Sequence, residues 1–547
     1  MKNNILLRVL AISAGLILGS MISISAQAAP ARTIRIDGCL TDGHSVFCDL
    51  SMSEVPQSDD GYVYLYADEV YQDGPSGKLL GKTPLSSIRN NAAGGAEFQF
   101  PLNNRKTGSA LSQKFLVAVK QGGRMVQISD EHYITNPEAA AVIPVLRMDK
   151  GIKGILADPL KILSGELQDL NLDQASYNIY LGDICGPSTD PVYPTIPFTY
   201  EGISYQFDGG MMAHYDFIIR NLTEMGLQVT VNLLNNGSPK APDLIHPLAR
   251  DGHSAPNYAF NTVEPGGTQH LKAIAAFLAE HYNGHNGHGQ IDNWIIGNEV
   301  NARTEQFYIV SDDLDFNVNT YVKAFRIFYN GIKSVNASAR IYNSIDQEWN
   351  RKSNPGSFLS REYMDQFNYY ILREGNIDYG LSFHPYNAPL YDPYTWLGLS
   401  RWVKHDLTTP YITMQNLYLL TDYMQQPQFL NPYGAVRSIS LSEIGFTSSF
   451  GDDLQAASII YAYEVARNNP YIDSFMLFRL TDDAHEMESM LAEGLDRLDG
   501  SHKPAYEYYR SIQTPDYEIY RRKANAIIGT DVSALARLRE FPTREGE

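Results

Sequence analysis

Along most of the chain, short apolar runs alternate with amphipathic stretches, the pattern of buried strands joined by helices. Runs at 151–156, 175–181, 228–234, 291–296, 340–346, 379–384, 438–442 and 474–480 predict eight strands. Between and after them, a 3.6-residue period predicts helices over 158–170, 211–225, 271–282, 318–332, 454–468 and 504–512. Eight strands alternating with helices predict an α/β fold, a (β/α)8 TIM barrel.

Upstream the period drops to two. Tyr62, Tyr64 and Tyr66 alternate with Val63 and Leu65, and 97–100 and 114–119 continue the strand pattern between turn-rich segments. This predicts an N-terminal all-β, sandwich-like domain, whose tyrosines serve either as a carbohydrate platform or as packing against the barrel. The division that follows is a leader at 1–28, the β-domain at 29–137, the barrel at 145–514 and a C-terminal tail at 515–547. The stretch 136–141 reads as the linker.

The chemistry is carried at strand ends. Trp294, Ile295 and Ile296 form a buried-strand run that Gly297 breaks, and Asn298 and Glu299 follow at the exit. The seventh predicted strand has the same build and delivers Glu443. A TIM barrel works at the C-terminal ends of its strands, and two carboxyls there suit cleavage of a glycosidic bond. One protonates the departing oxygen while the other meets the charge developing at the anomeric carbon.

With Glu299 ending strand four and Glu443 ending strand seven, the chain resembles the clan A glycoside hydrolases. The resemblance implies that Glu299 is the acid/base, Glu443 the nucleophile, and Asn298 a donor to the sugar 2-hydroxyl. His384-Pro385-Tyr386 looks like the clan's His-x-Tyr, which implies that Tyr386 supports Glu443 and that His384 orients the pair. Stretches 294–301, 344–349, 384–386, 441–446 and 479–486 are closer still to the family catalogued as domain of unknown function 5722. Two features depart from the clan. Strand eight reads Phe475-Met476-Leu477-Phe478-Arg479 without the usual Trp, and no Arg follows strand two.

Trp349, Trp396 and Trp402 fall in loops after strands five and six, where indoles serve as sugar-stacking subsites or as loop packing. Asp482, Asp483 and His485 follow strand eight and read as contacts to sugar hydroxyls, a cation site or a plain acidic loop. His281, His285 and His288 have metal-like spacing, but their turn precedes strand four, away from the chemistry, and reads as a solvated loop. No metal or cofactor is expected.

Charge and ends narrow the partners. A formal charge of −19, from 43 basic and 62 acidic residues with no basic block, disfavours nucleic acid and anionic membranes. Lys2 and Arg8, the apolar 9–24 and Ala26-Gln27-Ala28 read as a cleaved leader, which predicts a secreted or periplasmic protein free of the membrane after cleavage. In that setting Cys39 and Cys48 are expected to form a disulfide, leaving Cys185 as a packed thiol. The expectation is a secreted retaining glycoside hydrolase with a carbohydrate substrate. A non-catalytic carbohydrate-binding barrel and a transglycosylase with the same residues are the alternatives. Sugar, linkage and oligomeric state do not follow from the sequence.

Overall fold

The computed structural model describes residues 34–537 except 73–81, 91–92, 105–107, 143, 148–149 and 399–400, so the leader lies outside the described residues. Eight strands form one closed barrel: Lys153–Leu156, Gln174–Tyr180, Gln228–Leu234, Asn293–Ile296, Arg340–Asp346, Gly380–His384, Ile439–Ile444 and Ile472–Leu477. Every neighbouring pair is parallel, and Lys153, Gly154 and Ile155 of the first strand pair with Phe475, Met476 and Leu477 of the eighth to close the ring. All strand exits therefore point to one mouth.

Helices Gly209–Glu224, Pro265–His281, Leu314–Lys333, Asp452–Arg467 and Pro504–Ser511 lie where the periodicity predicts them. The helix expected over 158–170 is instead a 3-10 turn, Pro159–Lys161, and a short helix, Glu166–Asp169, because Pro159 and Gly165 interrupt it. Helix Ser360–Arg373, which buries Tyr363, Phe367 and Ile371, was not expected.

The insertion after strand two carries a hairpin, Ile196–Tyr200 paired with Ile203–Phe207, that runs along the barrel flank. Phe207 stacks on Phe277 of helix Pro265–His281 with ring centroids 3.7 Å apart. At the hairpin tip, Glu201 accepts hydrogen bonds from the Ser109 N–H at 2.9 Å and from Gln269 Nε2 at 2.8 Å.

The N-terminal residues form two antiparallel sheets. One joins Ile34–Thr41, Ser45–Met52 and Gly94–Pro101, and the other joins Ser86–Arg89, Tyr62–Asp68, Lys114–Gln121 and Arg124–Gln127. Val46, Leu50, Val63, Leu65, Phe98, Phe115 and Val117 fill the space between them. Tyr66 is buried against Leu116 and Ala118, and Tyr64 donates to Asp60 at 2.9 Å, so the tyrosine row is no continuous open platform.

Cys39 and Cys48, the pair expected to form a disulfide, sit directly opposite each other across the first two strands, both buried, Sγ to Sγ 2.6 Å. Helices Tyr517–Ile528 and Val532–Ala536 occupy the stretch read as a tail and pack on helix Asp452–Arg467. No helix among the described residues is long and apolar enough to cross a membrane.

The β-domain is fixed to the barrel through a buried cation. Arg326, fully buried in helix Leu314–Lys333, donates to the carbonyls of Ile371 at 3.1 Å and Gly375 at 2.6 Å, and lies 5.1 Å from the Tyr133 ring. Tyr133 N–H in turn donates to the Glu374 carbonyl at 2.9 Å. Arg326→Ala leaves those carbonyls without their donor and is expected to cost about 3–5 kcal/mol. Urea denaturation checks it, and a loss below about 1 kcal/mol would show the guanidinium to be dispensable.

Candidate active site

The exit of strand four is a built turn. Tyr321 in the following helix donates to the Ile296 carbonyl at 2.7 Å, and Gly297 then takes φ +78. Ser344 of strand five holds the turn from the side: its Oγ accepts from Glu299 N–H at 3.1 Å, and its carbonyl accepts from Val300 N–H at 3.0 Å. Glu299 itself is held at φ +38, a left-handed conformation that a residue with a Cβ adopts at a cost.

Glu299 and Glu443 line one cavity of about 500 Å³ at the C-terminal mouth. Glu299 Oε1 lies 2.8 Å from His384 Nδ1, and His384 Nε2 lies 3.1 Å from Ser442 Oγ. Tyr386 O–H donates to Glu443 Oε1 at 2.9 Å. The expectation for Tyr386 thus matches its placement. His384 differs: its hydrogen bond is to Glu299 rather than to the Tyr386–Glu443 pair. Asn298 is half-buried beside Glu299, and its Oδ1 has no hydrogen-bond partner among the described residues.

The mouth is strongly acidic. Beyond the two central glutamates the cavity is lined by Glu305, Asp346, Glu348, Glu486 and Glu493. Burial, then the charge of Glu299, pushes Asp346 up to about 6, and burial with Asp346 beside it pushes Glu348 up to about 7. Burial also raises Glu443, with Glu299 adding to it, while His384, Tyr386 and Arg479 oppose the rise. His384 loses basicity to burial but gains more from Glu443 and Glu299, so its net shift is upward.

Several expected contacts lie elsewhere. Trp349 is fully buried, edge-on to Tyr423 at 5.0 Å, and Trp396 is 7% exposed against Tyr394, so neither offers a face to a sugar. Trp402 is half-buried with the guanidinium of Arg351 over its ring at 4.0 Å. Asp482 Oδ1 is engaged by Lys503 Nζ at 2.7 Å and Gly494 N–H at 2.8 Å. Asp483 caps a short helix, accepting from the N–H of His485 at 2.9 Å and Glu486 at 3.2 Å. His485 points to solvent, 93% exposed. The apolar lining comes instead from Tyr386, Leu390, Phe478 and Leu491, with Phe478 leaving strand eight where the clan's Trp was missed.

Sequence reasoning overlooked Asp346, Glu348, Glu493 and Ser344, and weighed Glu486 only as the end of the acidic stretch after strand eight. A signal existed for Asp346, which ends the fifth strand as Glu299 follows the fourth. Next to this cavity, a second of about 580 Å³ lies between the exits of strands one, two and eight, with Tyr177, His214, Asp158 and Asp183 among its walls.

The histidine turn is more ordered than a solvated loop. His281 Nε2 and His288 Nδ1 each lie 2.7 Å from one oxygen of Asp216, with their rings stacked at 3.8 Å. Asp216, His281 and His288 bring one ligand atom apiece within 4.8 Å, while His285 bonds the Pro144 carbonyl. With both imidazoles already satisfied by one carboxylate, the cluster reads as a clamp between helices. Cys185 has a base that the sequence hid, His270 at 3.5 Å, itself 2.9 Å from Asp243. Burial nonetheless raises the thiol's pKa far above its ordinary range, so it is a packed thiol rather than a nucleophile.

Fold and site together define an eight-stranded α/β barrel that gathers strand-end carboxyls in a pocket at its C-terminal mouth. The chain belongs to the family of unknown function DUF5722, whose sequence profile matches residues 145–535. No curated protein matches it in sequence. Among solved structures it is similar to a family 39 glycoside hydrolase from the gut symbiont Bacteroides cellulosilyticus WH2, at 14% identity over 85% of this chain and 80% of that one, TM-score 0.45. It is also similar to Bacteroides uniformis beta-glucuronidase, at 12% identity over 88% of this chain and 52% of that one, TM-score 0.40. A third is Fpglu1 from Fervidobacterium pennivoraus, at 16% identity over 70% of this chain and 88% of that one, TM-score 0.43.

The buried indoles give a direct expectation. Trp349→Ala should destabilise the fold by about 3–5 kcal/mol, as removal of a large core side chain does. Thermal unfolding measures it. A midpoint equal to that of the unaltered protein, with weakened oligosaccharide binding, would return Trp349 to the role of sugar platform.

Proposed function

We propose that this protein is a retaining glycoside hydrolase acting on an oligo- or polysaccharide. The observation that carries the reading is the meeting of Glu299 and Glu443, from the exits of strands four and seven, in one cavity at the barrel mouth. In this mechanism Glu443 attacks the anomeric carbon, with Tyr386 O–H holding the attacking carboxylate in place at 2.9 Å. The proton for the leaving oxygen comes from the hydrogen-bonded pair of Glu299 and His384, 2.8 Å apart, and is delivered by Glu299. Water then enters, Glu299 takes a proton from it, and the glycosyl–Glu443 ester is hydrolysed with net retention. Asn298, with its unmatched Oδ1, is suited to the sugar 2-hydroxyl once its amide is turned to present the appropriate group. The leader pattern around Lys2 and Ala28 supports an activity outside the cytoplasm.

The two glutamates should fail differently. Glu443→Ala abolishes turnover of every substrate. Glu299→Ala retains slow release of leaving groups that need no proton, and azide accelerates it to give a product of retained configuration. A panel of polysaccharides followed by reducing-end release, then chiral analysis of the first product, decides the matter. Inverted product from the unaltered enzyme, or no product from any polymer, would remove this reading.

Tyr386→Phe tests the support of the nucleophile. Donation from Tyr386 lowers the Glu443 pKa, so its loss raises that pKa. The acidic limb of the kcat/KM profile should then move to higher pH by about 1–2 units, the equivalent of one hydrogen bond to a charged group. An unmoved limb would show that Glu443 does not govern it.

A further inference from the structure

Glu493 is the least expected group at the mouth. It follows the short helix after strand eight, and its carboxyl is brought in against the end of strand seven. Gly445 makes the room: a Cβ there would meet Glu493 Oε2 at 2.3 Å. The residue is 3% exposed, lines the same cavity as Glu299 and Glu443, and its Oε1 has no hydrogen-bond partner among the described residues. A buried carboxyl without a partner is costly, and native structures rarely keep one without a use.

Its surroundings restrict what that use is. No Lys or Arg is among the described residues that line the cavity. Arg479, the nearest guanidinium, is engaged by Asp483 at 3.4 Å and by Glu486 at 3.3 Å. Lys503 is held by Asp482 at 2.7 Å. A uronic acid would bring a further carboxyl into a pocket lined by seven, and a neutral sugar, whose hydroxyls can donate to Glu493, would bring no charge to offset them. A group that donates several hydrogen bonds and carries positive charge satisfies both demands. Burial, then Glu486 and Glu443, raises Glu493 well above the usual carboxylate range, and an arriving cation reverses that rise.

From the unpartnered Glu493 carboxyl facing an acidic, cation-free pocket, we infer that the glycan bound here carries a free amino group, its ammonium received by Glu493 with Glu486 beside it. This rests on the proposed reading of the mouth as a sugar site and specifies its substrate class.

Calorimetric titration of the full-length mature protein tests it with matched glucosamine, N-acetylglucosamine, glucose and glucuronate oligomers. Product release is followed in parallel. The glucosamine oligomer should bind about ten- to a hundredfold more tightly than the glucose oligomer, the range expected for one charge-assisted hydrogen bond. Glu493→Gln, nearly isosteric, should erase most of that preference. If Glu493→Gln does not fold, Glu486→Gln, at a half-exposed position, should reduce the preference in the same direction. Equal or weaker binding of the glucosamine oligomer overturns the inference. So does tight binding of calcium chloride alone that removes the preference, since the pocket would then be an inorganic cation site. Selective binding without product release keeps this inference and removes the hydrolase reading. Cleavage of neutral polymers with no amino preference does the reverse.

Discussion

Closure of the barrel is the constraint on which the rest depends. Once Lys153–Ile155 pair with Phe475–Leu477, eight parallel strands share one direction and their exits converge on one rim. A parallel strand is apolar along its buried length, so polar residues collect where it ends. The convergence of Asn298, Glu299, Asp346, His384, Tyr386, Ser442 and Glu443 is therefore a geometric consequence of closure. Residues far apart in sequence, such as His384 and Glu299, arrive at 2.8 Å because their strands are held in a ring.

That convergence has an electrostatic cost which the site does not relieve from within. Seven carboxyls line one cavity with no Lys or Arg among its described lining residues; Arg479 is shared between lining Glu486 and Asp483, and Lys503 is held by Asp482. Burial, with the neighbouring carboxylates adding to it, raises Asp346 to about 6 and Glu348 to about 7. Such a site is poised between protonation states, which is what paired acid and base chemistry requires. The left-handed Glu299 belongs to the same economy: rigid strands and the Ser344 hydrogen bonds hold a conformation that an isolated turn would abandon.

The insertions do different work from what their position implied. The hairpin after strand two turns away from the mouth, packs on helix Pro265–His281 and reaches the β-domain through Glu201. Trp349 and Trp396 of the later loops are turned inward and join the barrel's own core, whereas Tyr391, Tyr394 and Phe450 stay exposed. A long loop rich in aromatic residues has to bury part of them to stay folded, since an exposed indole wastes apolar surface. The pocket wall is consequently made of smaller contributions, Leu390 and Leu491 among them, together with Tyr386 and Phe478.

The sequence alone determined the elements and their order. Period-two and period-3.6 patterns located the two kinds of domain, and strands Gln228–Leu234 and Arg340–Asp346 fell on their predicted bounds. It also singled out Glu299 and Glu443, because a carboxyl just beyond a buried run is a local signal, while Tyr386 came from the resemblance of His384-Pro385-Tyr386 to a clan motif. Only the tertiary structure decided which neighbours these groups have. Glu493 and Glu486 lie in segments with no strand pattern, and nothing local distinguishes an acid turned into the mouth from His485, which faces solvent beside them. The same holds for the tryptophans, whose chemistry suits a sugar face and a core equally. Periodicity reports which side of an element is buried; it carries no information on what the other elements place against that side. That depends on the closed ring of strands and on long-range packing, which no window of sequence contains.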